Sequence, residues 1–238
     1  MLLNLSNMIV VNNLVKSYGQ QTVLNIPSLE ITKGQSVGLV GNNGAGKTTF
    51  FSLLLDLIQP SQGYISSKDN VVNETEEWKK YTGSFFDDSF LIGYLTPEEY
   101  FYFVGELRGM NRADIESYLN EYGNFFNGEV LKQRKYLRDF SKGNQKKVGI
   151  IAAFMGNPEL VVLDEPFANL DPTTQLRLKE LVKQKMQSRE TTIIISSHDL
   201  QHTYEVSDRI IALDKGEVQK DVMTTDITFE ALEAFFQI

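Results

Sequence analysis

The apolar positions near the start of the chain come in short runs and then in a longer one. The stretches MIVVNNLV, NIPSLEIT and QSVGLV are short, rich in β-branched residues and bounded by turn formers, so they predict strands. The third stretch leads directly into a glycine-rich loop. After Lys47 the stretch TTFFSLLLDLI is apolar on nearly every side and predicts a buried helix that ends before Pro60 and Gly63. The order is therefore strand, glycine loop and helix.

The middle of the chain, from about residue 88 to about residue 139, carries helix signals in place of the strand pattern. Thr96, Pro97 and Glu99 stand at the N-cap, first-turn and capping-box positions of a helix through YFYFVGELRG. A second helix is expected after Asn111, through RADIESYLNEY. These signals predict a helical subdomain set into an α/β core.

Strand and helix patterns alternate again in the last third of the chain. They comprise ELVVLDE, a helix from about Thr173 to Gln187, TTIIISS, a helix after His198, and RIIALDKGEVQ as a final strand. Such alternation predicts a parallel sheet whose functional groups lie at the carboxyl ends of its strands.

The composition limits the possible classes of protein. Of the 238 residues, 42% are hydrophobic and 23% are charged, which is ordinary for a globular protein with a sizeable core. A net charge of −8 opposes non-specific binding to nucleic acid or to an anionic membrane surface. The chain has no cysteine, so disulfides, thiolate zinc sites and cysteine-held iron–sulfur clusters are excluded.

Neither a signal peptide nor a membrane span is expected. The opening MLLNLSNMIVV lacks a cationic start followed by an apolar core. The longest apolar stretch, VGIIAAFM, is far shorter than the ~20 residues that cross a bilayer. We therefore expect a cytoplasmic protein whose membrane role, if it has one, depends on a partner.

The glycine-rich loop from Gly41 to Thr48 matches the phosphate-loop pattern G-x-x-x-x-G-K-[ST]. Its glycines let backbone N–H groups point into one concavity, the next helix presents its positive end, and Lys47 neutralises β- and γ-phosphate charge. Thr48 offers its hydroxyl to Mg²⁺. The flanking strand and helix disfavour a coincidental glycine turn, and the G-x-G-x-x-G spacing of a dinucleotide-binding loop is absent. The candidate ATP-binding residues here are Asn42, Asn43, Gly44, Ala45, Gly46, Lys47, Thr48 and Thr49.

Two adjacent carboxylates, Asp164 and Glu165, end the strongly apolar strand in ELVVLDEPFANLD. A buried strand that delivers them into a site is costly unless a metal or a reacting group meets them. We interpret Asp164 as the Mg²⁺ partner, usually through water, and Glu165 as the group that orients and activates the attacking water. A solvated acidic strand end is the alternative interpretation.

A histidine, His198, stands just beyond the strand TTIIISS. A lone histidine at a strand terminus is more often incidental than catalytic, but the neighbouring motifs make it a candidate catalytic residue. His198 and His202 are also four apart, which suggests two imidazoles on one helix face for zinc. Because the sequence is HDLQH rather than H-E-x-x-H, and no third ligand is suggested, we do not expect zinc.

The segment FSKGNQKK, about twenty residues before the LDE strand, resembles the LSGGQ signature of the ATP-binding subunits of ATP-binding-cassette (ABC) transporters. The resemblance covers nearly all of the chain. It implies an α/β phosphate-loop NTPase core with a mostly parallel sheet, an N-terminal antiparallel β subdomain and an inserted α-helical subdomain. We expect one domain, residues 1–238, with the ATPase core at 1–87 and 157–238 and the helical subdomain at about 88–156.

The resemblance also implies a head-to-tail dimer with two ATP molecules between the subunits. Each ATP would contact the phosphate loop of one subunit and Ser141 and Gly143 of the other, at the positive end of a helix that starts near Ser141. Tyr18, in KSYGQQ, resembles the aromatic residue that stacks on adenine, although a tyrosine there is often only a surface residue. The sequence ANLD, ending at Asp171, resembles the loop that communicates between the two ATP sites, and His198 resembles the switch histidine that contacts the γ-phosphate.

One departure from the family pattern concerns the metal site. The family usually has a glutamine before the helical insertion, which helps to hold Mg²⁺ and senses the membrane partner. No glutamine occurs from Gly63 to Lys132, and Asp87 stands at that position in TGSFFDDSFLIGYLT. A carboxylate is also a hard oxygen ligand for Mg²⁺, so metal binding remains expected. The effect of its charge on coupling and rate is left open.

The signature segment departs from the family as well. Phe140 replaces leucine, Lys142 replaces the first of the paired glycines, and Asn144 replaces glutamine. Ser141 and Gly143, which supply a hydroxyl and a close backbone approach, are kept. We interpret the segment as a working variant.

Three functions fit these residues. The leading one is an ATPase motor, using ATP and Mg²⁺, that binds transmembrane permease subunits and a second ATP-binding subunit at the inner face of the cell membrane. A soluble ABC ATPase that assembles another complex, as in the iron–sulfur branch of the family, and a nucleotide-dependent binding module without hydrolysis are the alternatives. The SKG form of the signature, with no added regulatory domain, resembles single-cassette exporters more than importers. No nucleic-acid partner is expected, and the cargo and the choice between homodimer and heterodimer stay open.

Overall fold

The computed structural model of the chain describes residues 6–236. Residues 1–5, part of the opening stretch that lacks a signal-peptide pattern, lie outside the described residues. The strands in the described part are β1 (Asn7–Tyr18), β2 (Gln21–Thr32), β3 (Ser36–Val40), β4 (Gln62–Ser67), β5 (Asn70–Val71), β6 (Thr82–Phe85), β7 (Leu160–Leu163), β8 (Thr192–Ser197), β9 (Arg209–Asp214) and β10 (Glu217–Met223).

The α-helices of the same part are α1 (Lys47–Leu54), α2 (Pro97–Leu107), α3 (Arg112–Glu121), α4 (Gly123–Phe126), α5 (Lys142–Ala153), α6 (Pro172–Ser188), α7 (Leu200–Glu205) and α8 (Phe229–Phe236). Short 3-10 turns lie at Glu77–Tyr81, Asp88–Phe90 and Leu137–Asp139. Within residues 6–236, no helix combines the length and the apolar character needed to cross a bilayer.

A four-stranded antiparallel sheet, in the order β2-β1-β4-β5, confirms the expected N-terminal β subdomain. Val10 pairs with Glu30 on one side and with Ser66 on the other, which places β1 inside the sheet. Strand β2 lies at the edge, where Pro27 is tolerated because its missing N–H interrupts no central ladder.

A six-stranded sheet, in the order β10-β9-β3-β8-β7-β6, forms the core and is parallel except for β10. Every residue of β3, β7 and β8 is buried, as expected for strands covered on both faces. The mostly parallel sheet predicted from the alternating pattern is therefore confirmed.

The prediction of one strand for RIIALDKGEVQ was wrong. That stretch folds back as the antiparallel hairpin of β9 and β10. Lys215 and Gly216 both have positive φ, 48° and 81°, the conformation of a tight hairpin turn. Lys215 and Gly216 therefore form the turn between β9 and β10.

The predicted helix after the glycine loop is shorter than expected, because α1 ends at Leu54 rather than near Ile58. Leu55 leaves the helical conformation and Asp56 has a φ of 52°, in the left-handed region. The expected starts of α2 and α3 are confirmed by complete capping boxes, the first between Thr96 and Glu99 and the second after Asn111.

The helical subdomain is fastened to the six-stranded sheet mainly through α5. One continuous apolar cluster contains Phe101, Ile115 and Phe126 of the subdomain together with Ile151 of α5 and Val161 of β7. Close contact between α5 and β6 depends on small residues. A Cβ atom placed on Gly149 would stand 2.2 Å from the Phe85 ring, and one on Gly83 would stand 1.8 Å from the Ala153 carbonyl oxygen.

We predict opposite effects for two glycine-to-alanine changes in helices. Gly149→Ala forces the buried Phe85 ring to move and costs about 1–3 kcal/mol, which outweighs a helix-propensity gain of up to about 1 kcal/mol. Gly123→Ala keeps only that gain, because no atom lies within 4 Å of its added Cβ. Thermal unfolding should place the Gly149→Ala midpoint several degrees below that of Gly123→Ala, at about 2–4 °C per kcal/mol. Equal midpoints would contradict the close packing of α5 on β6.

Candidate active site

Four adjacent parallel strands bring the candidate site residues to one edge of the six-stranded sheet. Val40 of β3 pairs with Ser197 of β8, and Leu163 of β7 pairs with both Ile195 and Phe85. The glycine loop, the two carboxylates, the histidine and Asp87 each begin within two residues of the end of one of these strands. Because parallel strands end at the same edge, segments far apart in sequence meet there.

The glycine loop forms an open cradle at the start of α1. Gly44 and Gly46 have φ angles of 83° and 107°, which side-chain-bearing residues rarely adopt. No heavy atom lies within 4 Å of a Cβ placed on Gly44, so the loop is open at that point. The first N–H groups of α1 receive no side-chain cap. The loop therefore presents free donors and the positive end of a helix, which fits the phosphates of a nucleotide.

The lysine of the loop is held at the base of this cradle. Lys47 is 6% exposed, and its ammonium donates to the Gly41 carbonyl oxygen at 2.6 Å. The same Nζ lies 3.8 Å from Oε1 of Glu165. One cation therefore lies between the loop and the carboxylate.

Thr48 and Asp164 are brought together as predicted for a Mg²⁺ site. Thr48 Oγ1 lies 3.5 Å from Oδ2 of Asp164, and the Ser196 hydroxyl donates to Oδ1. Burial raises the pKa of Asp164, and the Ser196 bond opposes that shift. A hydroxyl and a carboxylate are hard oxygen donors, so these residues fit Mg²⁺.

Glu165 is held from three elements of the fold. Its amide donates to Ser196 Oγ at 3.0 Å, and its carbonyl accepts from Lys146 Nζ at 2.7 Å. Its Oε2 lies 2.7 Å from His198 Nδ1. Glu165 has a φ of 46°, an uncommon conformation for this residue type. The two candidate catalytic residues, Glu165 and His198, are thus in direct contact.

Sequence reasoning missed Ser196 and Lys146. Ser196 is one of the serines that end TTIIISS, and nothing local indicates which of them turns toward Asp164. Lys146 lies in the signature segment, where a lysine normally indicates a solvated helix face. Its 7% exposure arises because β6 and the Glu165 loop cover it, contacts that depend on distant parts of the chain.

Asp87 is the cap of the 3-10 turn at Asp88–Phe90. Its carboxylate accepts from the Ser89 amide at 2.8 Å, and its predicted role as a metal ligand stays a prediction. Hydrogen bonding to Ser89 lowers the pKa of Asp87, so the carboxylate is readily ionised. The next residue, Asp88, faces the signature helix, with Oδ2 3.5 Å from Lys142 Nζ.

Ser141 and Gly143 lie at the start of α5, as predicted. Ser141 is exposed and caps the helix by accepting from the Asn144 amide at 3.3 Å. A Cβ on Gly143 would stand 2.9 Å from the Asn169 carbonyl oxygen, so the ANLD loop approaches the signature within one subunit. Tyr18, 57% exposed, lies at the end of β1, with Lys16 Nζ 4.9 Å from its ring centre.

The two histidines face different partners. His198 contacts Glu165, whereas the His202 ring packs on Phe167 with centres 5.1 Å apart. Asp199 accepts from the His202 amide at 3.0 Å as the cap of α7. The arrangement assigns His198 to the candidate active site and His202 to the packing beside it.

Comparisons with known proteins show which family and which folds the chain is similar to. A family model described as ABC transporter matches residues 24–168, more than half of the chain. An ABC transporter ATP-binding protein of Methanocaldococcus jannaschii is 34% identical over 208 residues, 87% of this chain and 74% of the relative. The bacitracin transport ATP-binding protein BcrA of Enterococcus faecalis is 32% identical over 221 residues, 90% of this chain and 69% of the relative. A dimeric structure of a bacterial ABC transporter cassette, 25% identical, has a TM-score of 0.80 and covers 91% of this chain and 99% of its own.

Asp171, at the end of the ANLD loop, gives a prediction about stability and pH. It caps α6, and hydrogen bonds from Thr174 lower its pKa to about 2. Asp171→Ala should lower the free energy of unfolding at neutral pH by about 1 kcal/mol through loss of the cap. Asp171→Asn should cost less, because its amide oxygen still accepts the capping bond.

The pH dependence of this contribution follows from the depressed pKa. The ionised Asp171 stabilises the fold fully above its unfolded pKa of about 3.9 and loses that effect as the pH falls toward the folded value. Urea unfolding from neutral pH downward should therefore show the stability gap between the unchanged protein and Asp171→Asn closing below about pH 4. A gap that stays constant would show that the charge contributes nothing.

Proposed function

Since this chain belongs to the ABC transporter family, we propose that it is the ATP-driven motor subunit of an exporter. The chain is an ATP-binding subunit and an ATPase that uses Mg²⁺. The observation that carries the proposal for its chemistry is the Glu165 carboxylate, which has Lys47 at 3.8 Å on one oxygen and His198 at 2.7 Å on the other. A base held between the phosphate loop and a histidine fits attack of water on a γ-phosphate.

We assign the steps of hydrolysis to the residues as follows. The open amides of the loop and Lys47 bind the β- and γ-phosphates of ATP. Glu165 orients the attacking water and receives its proton, while His198 holds the carboxylate through Nδ1. Thr48 and Asp164 would hold Mg²⁺, which would supply positive charge beside the transferring phosphoryl group.

Asp87 remains a proposed oxygen donor to this metal. Its carboxylate accepts from the Ser89 amide through Oδ1, and a carboxylate can accept that bond and still offer an oxygen to a metal. The residue boundaries expected for the ATPase core and the helical subdomain remain proposals too.

The second half of each ATP site is proposed to come from another ATP-binding subunit. Ser141 is exposed at the positive end of α5, which leaves it accessible to the nucleotide of a partner. Gly143 follows on the same turn, and Tyr18 offers an exposed ring for adenine. The similar cassette with a dimeric structure supports this pairing.

The work of the motor is proposed to be done on separate transmembrane subunits, which hold this chain at the inner face of the cell membrane. ATP favours the closed pair of cassettes by binding it better than the open pair, and hydrolysis removes that preference. Export is the proposed direction, because the SKG form of the signature resembles single-cassette exporters. The relative that is named for bacitracin transport supports a transport role.

Mass spectrometry of the complex purified from detergent-solubilised native membranes tests the partner assignment. We expect an integral membrane protein in stoichiometric amount with this chain. Recovery with soluble partners alone would contradict the transporter role and favour an ATPase that assembles another complex.

Glu165→Gln tests the proposed chemistry. The amide keeps the shape of the side chain but accepts no proton, so turnover should fall roughly 10²-fold or more while ATP binding is retained. Steady-state phosphate release and equilibrium binding of a fluorescent ATP analogue measure the two quantities. Lys47→Ala is the control, because it should abolish binding. Unchanged turnover in Glu165→Gln would rule out the assignment of the base.

A further inference from the structure

Lys146 is a buried lysine that the mechanism above does not use. It lies in the second turn of α5 and is 7% exposed. Burial disfavours the charged ammonium and lowers the pKa of Lys146. A buried cation is retained at such a cost where it makes a directed contact, and here Nζ donates to the Glu165 carbonyl oxygen at 2.7 Å.

The main chain of Glu165 requires such support. Its φ of 46° is strained for a residue with a side chain and persists only where neighbours hold it. Three hydrogen bonds hold the residue's own backbone groups: one from its amide to Ser196 on β8, and two to its carbonyl, from Lys146 Nζ at 2.7 Å and from the Ala168 amide at 3.3 Å. Without Lys146 the carbonyl keeps only the longer bond within its own loop, so the backbone is freer to relax and the carboxylate moves with it.

Helix α5 gives Lys146 a fixed base. Gly149, one turn further along the helix, lies so close to the Phe85 ring that an added Cβ would stand 2.2 Å from it. Lys146 Nζ itself lies 5.8 Å from the centre of the same ring. The helix therefore cannot slide along β6 without disturbing the ammonium. Ser141 caps the N-terminal end of α5 and is proposed to contact the nucleotide of the partner subunit.

We propose that Lys146 is a positioning residue that holds the main chain of Glu165 in its left-handed conformation and ties the carboxylate to the signature helix. This bond connects the start of α5, which would contact one ATP, rigidly with Glu165, which acts on the other ATP. The inference rests on the proposed role of Glu165 as the base.

Lys146→Met removes the donor and keeps an unbranched side chain of similar length. We expect kcat for ATP hydrolysis by the full chain to fall roughly 10-fold to 10²-fold, the scale of a misplaced catalytic group, with the KM for ATP within about twofold. Lys146→Arg should recover part of the rate, because a guanidinium also donates to a carbonyl. Lys179→Met is the matched control, a buried lysine of α6 paired with Glu205, and should leave kcat unchanged.

A second measurement reports on the site without turnover. The chain has only two histidines, so the imidazole proton signals of nucleotide-free protein are resolved by NMR. Lys146→Met should shift the signals of His198, which contacts Glu165, and leave those of His202 in place. If Lys146→Met does not fold, Lys146→Gln takes its place in both measurements, since its shorter amide does not reach as far.

The outcomes separate this inference from the function on which it rests. Full kcat and unmoved His198 signals in the Lys146 variant, beside a slow Glu165→Gln, would overturn the positioning role alone. A rate loss that Lys179→Met reproduces would also overturn it, since the cause would be general destabilisation. Undiminished turnover in Glu165→Gln would overturn the assigned base itself. A selective fall in kcat with moved His198 signals supports the inference.

Discussion

The common edge at which β3, β8, β7 and β6 end is the constraint on which the rest of this structure depends. Each strand delivers a different chemical group, and the pairing of the strands decides how far apart the groups lie. A slip of one residue would turn every side chain of a strand to the opposite face of the sheet. Since the residues of β3, β7 and β8 are all buried, the register is held by apolar packing on both faces. The positions of Lys47, Asp164 and His198 therefore follow from packing well away from them.

Glu165 shows how rigid support and local strain are combined at that edge. The residue adopts a left-handed backbone directly after β7, which turns its side chain toward the phosphate loop and His198. His198 does not hold the strained backbone of Glu165, because it contacts only the side chain and is itself largely exposed. The partly buried bonds to Ser196 and from Lys146 act on the backbone itself. Two elements, β8 and α5, thus help to hold the position of one carboxylate.

What the sequence predicts well here is what depends on neighbours along the chain. The phosphate loop, the capping boxes of α2 and α3 and the carboxylates after an apolar strand each need only a few adjacent residues, and all are found where expected. The end of α1 was misplaced because an apolar run continues past it, and the turn between β9 and β10 was missed although the polar residues Lys215 and Gly216 stand there. The burial of Lys146 was beyond sequence reasoning, since it requires that α5 pack against β6 and the loop after β7, contacts set only by the tertiary fold.

The two departures from the family pattern near this edge compensate each other in charge. Asp87 adds a negative charge where the resemblance implies glutamine, and Lys142 adds a positive charge where it implies glycine. Bonds from Ser89 keep the pKa of Asp87 low, with Lys142 and Lys146 lowering it further, so the carboxylate stays ionised. Asp88 lies 3.5 Å from Lys142, which joins the end of β6 to the start of α5. The two substitutions therefore cancel in net charge, and Lys142 adds an ionic contact between the segment after β6 and the start of α5.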